Sequence, residues 1–225
     1  MEPTKTVLEK IVIKPDSAPI ASVIWLHGLG ADGNDFAPIV PALNLPKNLP
    51  IRFVFPHAPM QAVTINNGYI MRAWYDIVSF EVDKHADEKG IQQSIANVSE
   101  LIEREEQLGI PSDKIILAGF SQGSVIALTT GLTYPKPLAG IIALSGYLPF
   151  ADQVMAKATV NKQIPIFLGH GTEDPVVPFF LGQATHQVLT QHHYPVAWHS
   201  YAIPHSVCLE EIGDIVEWIK TILAK

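Results

Sequence analysis

The sequence is poor in cysteine, in charged residues and in long apolar runs, and each scarcity narrows what the chain can be. Cys208 is the single cysteine among 225 residues, so no internal disulfide can form, which fits a reducing compartment. Charged residues make up 16% and hydrophobic residues 48%, which allows a large buried core and argues against disorder. No run approaches the roughly 18 apolar residues of a membrane span, so none is expected.

The charge balance is acidic, with a formal net charge of -7. An acidic surface argues against nucleic acid or an anionic membrane as the main partner. The first ten residues are polar and contain no apolar segment of the signal-peptide type. We therefore expect a soluble, cytoplasmic protein with no integral membrane association and no nucleic-acid partner.

Apolar runs alternate with segments of helical period, which is the pattern of βαβ units and a mainly parallel sheet. The predicted strands cover residues 7–13, 22–26, 52–55, 115–120, 140–145, 164–169 and 196–201, with the first and last near the two edges. The clearest predicted helices contain the apolar stripes at 36–43, 91–102 and 209–222. The sequence therefore predicts one α/β domain over residues 1–225, with helices on both faces of the sheet and no separate lid domain.

The segment Gly119-Phe120-Ser121-Gln122-Gly123 is the most informative part of the chain, because it joins an apolar run to a segment of helical character. Gly-x-Ser-x-Gly in this context is a nucleophile elbow, which exposes a serine hydroxyl at the end of a sheet. The glycines are needed because the turn is sharp and the serine backbone is strained. The pattern predicts Ser121 as a nucleophile that attacks a carbonyl.

A serine nucleophile needs a base, normally a histidine held by a carboxylate, and on such folds they follow in the order Ser, Asp or Glu, His. Asp174 is the favoured acid because it lies in a proline-rich loop just beyond an apolar strand, and the adjacent Glu173 is the alternative. His205 is the favoured base, since it follows the last strand and precedes the last helix. We interpret the competing histidines as surface or packing residues: His186, His192, His193 and His199.

An oxyanion intermediate needs backbone N–H donors. One donor is expected at Gln122, directly after the nucleophile, and the other in the glycine-rich loop after an early strand, at Leu29. The alternative is that this loop is only a turn into the next helix. A phosphate-binding loop is disfavoured because the spacing of the glycines does not fit one. The histidines show no metal-site spacing, so no metal is expected.

Six motifs in order resemble the acyl-protein thioesterase and carboxylesterase family of small α/β-hydrolases, nearly from end to end. They are Trp25-Leu-His-Gly-Leu-Gly30, Phe55-Pro-His-Ala-Pro59, Arg72-Ala-Trp-Tyr-Asp76, Gly119-Phe-Ser-Gln-Gly123, His170-Gly-Thr-Glu-Asp174 and Pro204-His-Ser206. The resemblance implies a triad of Ser121, Asp174 and His205, oxyanion donors at Leu29 and Gln122, and hydrolysis of carboxylic esters or acyl thioesters without a metal or organic cofactor.

On this resemblance, the long segment from residue 56 to 84 forms part of an acyl-binding groove. We expect Val63, Ile70 and Trp74 to line its apolar wall, because an active site that receives an acyl chain needs apolar surface beside the nucleophile. The alternative for Trp74 is that it only packs this segment onto the domain.

The triad serves oxygen esters and thioesters alike. We rank a carboxylesterase acting on short to medium acyl chains first. An acyl-protein thioesterase or lysophospholipase acting on longer chains comes second, and a catalytically silent binding protein of the same fold is the rival from another class. The expected partner is a small or lipid-like acyl ester or thioester, including an acylated protein, and apolar surface around the site is compatible with a homodimer.

Overall fold

A seven-stranded sheet forms the centre of the computed structural model, which describes residues 7–78, 87–158 and 160–224. Its strands are β1 (Lys10–Ile13), β2 (Ala21–Leu26), β3 (Ile51–Pro56), β6 (Ile115–Phe120), β7 (Gly140–Leu144), β8 (Ile166–Gly171) and β9 (Val196–Tyr201), and β4 (Met60–Val63) and β5 (Tyr69–Arg72) form a separate hairpin. The order across the sheet is β1-β3-β2-β6-β7-β8-β9, and β1 alone of these seven pairs antiparallel.

The inner strands are apolar over their whole length because both faces of the sheet are covered. Every residue of β2, β3 and β7 is buried, as expected for parallel strands between helical layers. The helices are α1 (Ile39–Leu43), α2 (Glu88–Gln107), α3 (Gln122–Thr133), α4 (Ala151–Lys157), α5 (Phe179–Gln191) and α6 (Leu209–Leu223). One apolar cluster joins the sheet to α2, α3 and α5, and a second joins its other face to α1 and α6.

The predicted strands and the three predicted helices are present, and the largest difference is the length of α1. The apolar stripe at 36–43 predicted a helix over that range, but α1 covers only Ile39–Leu43. Pro41 explains the difference, because it lacks the N–H that would donate to Ala37 O in a helix that began at residue 36. The hairpin of β4 and β5 and the short helix α4 were not predicted.

The parallel strands bring the predicted site together, because their carboxyl ends lie at the same edge of the sheet. Ser121 directly follows β6, and Leu29 comes three residues after β2. Asp174 and His205 lie in the loops after β8 and β9. Within the described ranges, no helix has the length and apolar character needed to cross a membrane.

Candidate active site

Ser121 has the strained backbone of a nucleophile elbow. Its φ of 54° and ψ of -120° lie in a region that favours glycine, which costs a serine on the order of 1–3 kcal/mol. Two backbone hydrogen bonds hold it there: its N–H donates to Leu144 O at 2.8 Å, and its carbonyl accepts the N–H of Ser124 at 3.0 Å. Although Ser121 is the N-cap of α3, its hydroxyl makes no capping hydrogen bond. The hydroxyl is therefore not used to cap the first turn of α3.

His205 and Asp174 form a hydrogen-bonded pair. Nδ1 of His205 lies 2.6 Å from Oδ2 of Asp174, whose side chain is fully buried. The other oxygen, Oδ1, accepts the backbone N–H groups of Val176 and Val177 at 2.8 Å each. Three donors therefore converge on this carboxyl group, and the bond at Oδ2 selects the tautomer of His205 that carries its proton on Nδ1.

The ring of His205 lies next to the residue before the nucleophile. Its centroid is 4.7 Å from that of Phe120. The bond to Asp174 occupies Nδ1, and Nε2 has no hydrogen-bond partner among the described residues. No hydrogen bond joins Nε2 to the Ser121 hydroxyl within the same set. Catalytic hydrogen bonds are often long or poorly aligned in unliganded sites and tighten in the complex with substrate.

The loop after β2 passes close to the nucleophile. A Cβ added to Gly28 would lie 3.5 Å from Cβ of Ser121, so this backbone passes directly over the serine. Nδ1 of the buried His27 donates to Gly28 O at 2.7 Å, and its Nε2 accepts the N–H of Ala58 at 3.0 Å. Because a trans peptide is planar, fixing the Gly28 carbonyl also fixes the Leu29 N–H in the opposite direction.

The two predicted oxyanion donors are free of protein acceptors. No described residue accepts a hydrogen bond from the backbone N–H of Leu29 or Gln122. Both N–H groups belong to backbone that passes close to Ser121. The arrangement is therefore able to stabilise negative charge on a substrate oxygen.

Burial lowers the pKa of His27 from 6.5 to about 4, so this ring is neutral near pH 7. On acidification the unfolded chain takes up this proton before the folded chain does. The contribution of His27 to the free energy of unfolding is therefore fully present above pH 6.5 and falls as pH approaches 4. The full contribution is about 3 kcal/mol. We expect the stability of His27→Gln to fall less than that of the wild type between pH 6.5 and pH 4, as measured by thermal unfolding. His57→Gln is the control and should keep it, and an unchanged acid response in His27→Gln would contradict the assignment.

The side chain of Gln122 has a structural role that the sequence analysis missed. Its Oε1 accepts the N–H of Trp74 at 2.8 Å, and its Nε2 donates to Tyr75 O at 2.6 Å. The first residue of α3 is thus tied to the backbone that follows β5. The sequence offered one indication of this role. A glutamine directly after the nucleophile can both donate and accept hydrogen bonds, and nearby loop backbone needs such partners.

The three predicted acyl-wall residues do not share one surface. Ile70 is 62% exposed on β5, whereas Val63 and Trp74 are 0% and 1% exposed. The indole Nε1 of Trp74 donates to His27 O at 2.8 Å, and its ring packs 5.3 Å from that of His27. Val63 and Trp74 therefore pack the segment onto the domain, and their burial leaves them no surface for a substrate. Residues 79–84 of the predicted groove segment lie outside the described residues.

The remaining histidines have other contacts. His170 donates from Nε2 to Val177 O at 2.9 Å, and burial lowers its pKa. His186 stacks on Trp198, and His199 stacks on Phe167. Within residues 7–78, 87–158 and 160–224, no group of three or more His, Cys, Asp or Glu side chains is placed to hold a metal ion.

Comparison with known proteins gives consistent similarities. The sequence profile of the phospholipase/carboxylesterase family matches residues 8–223. Acyl-protein thioesterase 1 of Schizosaccharomyces pombe is 48% identical over 76% of this chain and 75% of its own length. Acyl-protein thioesterase 1 of Neurospora crassa is 41% identical over 91% of this chain and 88% of its own. The crystal structure of Zea mays acyl-protein thioesterase 2 superposes with a TM-score of 0.85 at 29% identity, covering 96% of this chain and 99% of that one.

These similarities span the sheet and every loop of the candidate site, from the strand before Leu29 to the helix after His205. The chain belongs to the phospholipase/carboxylesterase family of the α/β-hydrolase fold and is an esterase or thioesterase.

Proposed function

We propose that the chain hydrolyses acyl thioesters and oxygen esters through an acyl-enzyme on Ser121. His205 Nε2 takes the proton of the Ser121 hydroxyl as the oxygen attacks the acyl carbonyl carbon. The Leu29 and Gln122 N–H groups stabilise the negative oxygen of the tetrahedral intermediate. When the intermediate collapses, the bond to the leaving group breaks, and His205 returns the proton to the departing oxygen or sulfur.

The second half repeats these steps with water. His205 takes a proton from a water molecule, the resulting hydroxide attacks the acyl carbon, and the carboxylic acid leaves as Ser121 regains its proton. Asp174 holds the imidazole in the tautomer with the proton on Nδ1 and stabilises the imidazolium formed in both halves.

The hydrogen bond of 2.6 Å between His205 and Asp174 is the observation that carries the proposal. It joins two loops that are 31 residues apart. It also leaves the other ring nitrogen without a hydrogen-bond partner among the described residues, on a ring whose centroid lies 4.7 Å from that of Phe120, the residue before Ser121. The strained backbone of Ser121 and its hydroxyl, which makes no capping hydrogen bond, also favour a catalytic role over simple packing for this pair.

For the substrate class, the curated relatives favour thioesters of acylated proteins over the oxygen esters that the residues alone ranked first. The chemistry permits both, because thiolates and alkoxides leave from the same tetrahedral intermediate. A thiol has a pKa near 8.5, so a thiolate leaves with less help from His205 than an alkoxide does.

We place the acyl chain along the hairpin of β4 and β5. The Gly30 N–H donates to Arg72 O at 2.8 Å, which ties β5 to the oxyanion loop. Met60 and Ile70 are large apolar side chains that this hairpin leaves exposed, and the pairing of β4 with β5 places them on the same face. Such apolar surface, on a hairpin tied to the loop after β2, suits an acyl chain.

A fluorophosphonate probe with peptide mapping tests the proposal directly. We expect one adduct on Ser121 in the wild type and none at this position in Ser121→Ala. Turnover of matched oxygen esters and thioesters with acyl chains of increasing length then ranks the two substrate classes. The same acyl chain in both series isolates the effect of the leaving group.

The outcomes separate the alternatives. Equal turnover by wild type and Ser121→Ala, or an adduct on another residue, would reject the mechanism. A wild type with no adduct and no turnover would indicate a silent binding protein. Preference for oxygen esters with short acyl chains would restore the carboxylesterase ranking without changing the mechanism.

A further inference from the structure

Glu211 is a buried acid in the first turn of the helix that follows His205. It is 1% exposed. Both carboxyl oxygens are buried, and neither makes a well-formed hydrogen bond with any described residue. An unpaired buried carboxylate is costly, so a group in this position needs a reason to be kept. None of the triad or oxyanion contacts described above uses it.

The carboxyl group of Glu211 lies directly on the backbone of β8. A Cβ added to Gly169 would come 2.2 Å from Oε1 of Glu211, so the side chain occupies the space that glycine leaves open. Two residues further along β8, a Cβ on Gly171 would come 2.3 Å from Ile203 O and 2.5 Å from Pro204 O. The segment that carries His205 therefore lies against β8 at two places, before His205 and after it.

The groups facing Glu211 favour its uncharged form. Asp214 on α6 adds negative charge, which disfavours ionisation of Glu211. The hydroxyl of Tyr201 on β9 donates to Asp214 Oδ2 at 2.8 Å, and the charge of Glu211 contributes to raising the pKa of Tyr201. Leu144 of β7 and Gly169 of β8 bring no charge. The Cys208 N–H, at the N-cap of α6, is the one described group that favours the charged form. No cation is among these neighbours.

We propose that Glu211 is a positioning residue for His205, and that its uncharged carboxyl group holds the start of α6, with the His205 segment before it, against Gly169. This inference rests on the proposed function, since it assigns His205 as the base. Ionisation of Glu211 would put a negative charge without a counter-ion between α6 and β8. The contact then weakens, and His205 is held less firmly relative to Asp174 and Ser121.

Burial, reinforced by Asp214, raises the pKa of Glu211 from 4.5 to about 8. The folded chain holds this proton more tightly than the unfolded chain does. The contribution of Glu211 to the free energy of unfolding is therefore fully present below pH 4.5 and is lost as pH rises through about 8. A descending alkaline limb in the rate is therefore the expected signature of Glu211.

The test is the pH profile of kcat/KM for an activated butyrate ester, from about pH 6 to about pH 10. We expect the wild type to lose activity several-fold above about pH 8. Glu211→Gln keeps the shape of the uncharged acid, so it should retain neutral activity within about twofold and stay active at alkaline pH. Glu210→Gln, on the exposed neighbour, is the matched control and should follow the wild type.

Thermal unfolding supplies the second readout, with the gap in melting temperature between Glu211→Gln and the wild type widening as pH rises. Glu211→Met gives the same comparison should the glutamine variant not fold. A wild-type rate that stays flat through the alkaline range overturns the inference, and so does an alkaline limb that persists unchanged in a folded variant. Labelling of Ser121 at neutral pH is independent of Glu211, so a missing adduct would reject the proposed function instead.

Discussion

Replacing Asp174 with asparagine is expected to lower kcat/KM for an activated ester by a factor on the order of 10⁴ while leaving the fold intact. An amide oxygen can accept the N–H groups of Val176 and Val177 as the carboxylate does. The amide nitrogen then faces His205 Nδ1 and donates to it, which moves the imidazole proton to Nε2. An imidazole protonated on Nε2 cannot take the proton of Ser121.

Glu173→Gln is the matched control, because it changes the adjacent carboxylate, which is exposed. Its rate should match that of the wild type, and thermal unfolding of both variants should show that neither loses the fold. An Asp174→Asn rate within about tenfold of the wild type, or a large loss in Glu173→Gln, would reject the assignment of the acid.

Replacing Gly123 with alanine is expected to destabilise the fold by about 3 kcal/mol or more. A Cβ at this position would lie 2.3 Å from Leu26 O and 2.6 Å from His27 O. Both are backbone atoms, one at the end of a central strand and one in the oxyanion loop, so neither can rotate out of the way. Relief of the clash has to move α3 away from β2, which also displaces the nucleophile.

Gly213 supplies the control, since a Cβ there would meet no atom within 4 Å and the residue lies within α6. Gly213→Ala should stabilise the fold by about 0.5–1 kcal/mol because alanine loses less conformational entropy in a helix. Thermal and urea unfolding measure both changes, and loss of soluble Gly123→Ala beside normal yield of Gly213→Ala agrees with the expectation. A melting temperature for Gly123→Ala near that of the wild type would contradict it.

The sequence was sufficient for the sheet and for the positions of the site loops, because both depend on local pattern. Continuous apolar runs marked the buried strands, and chain order placed Asp174 and His205 after β8 and β9. The hairpin of β4 and β5 was missed although Asn67-Gly68 is a strong turn signal, and both residues have positive φ in the structure. Short strands flanked by exposed residues give a weaker alternation than buried ones.

The acyl wall could not be read from the sequence, because burial depends on contacts distant along the chain. Trp74 is as apolar as a substrate-facing residue would be, yet its N–H groups bond to Gln122 and His27, far from it in sequence. The burial of Glu211 was hidden for a related reason. A glutamate in the first turn of a helix normally faces solvent and favours the helix dipole, and only the space above Gly169 shows that this one does not.

The amide of Gln122 gives the nucleophile and the base of the hairpin a common mechanical support. Any ligand that displaced the backbone at residues 74 and 75 would have to break two buried hydrogen bonds or carry the first residue of α3 with it. That residue supplies one of the proposed oxyanion donors. The size of the bound acyl group would then change the rate of the chemical step as well as the affinity for the substrate.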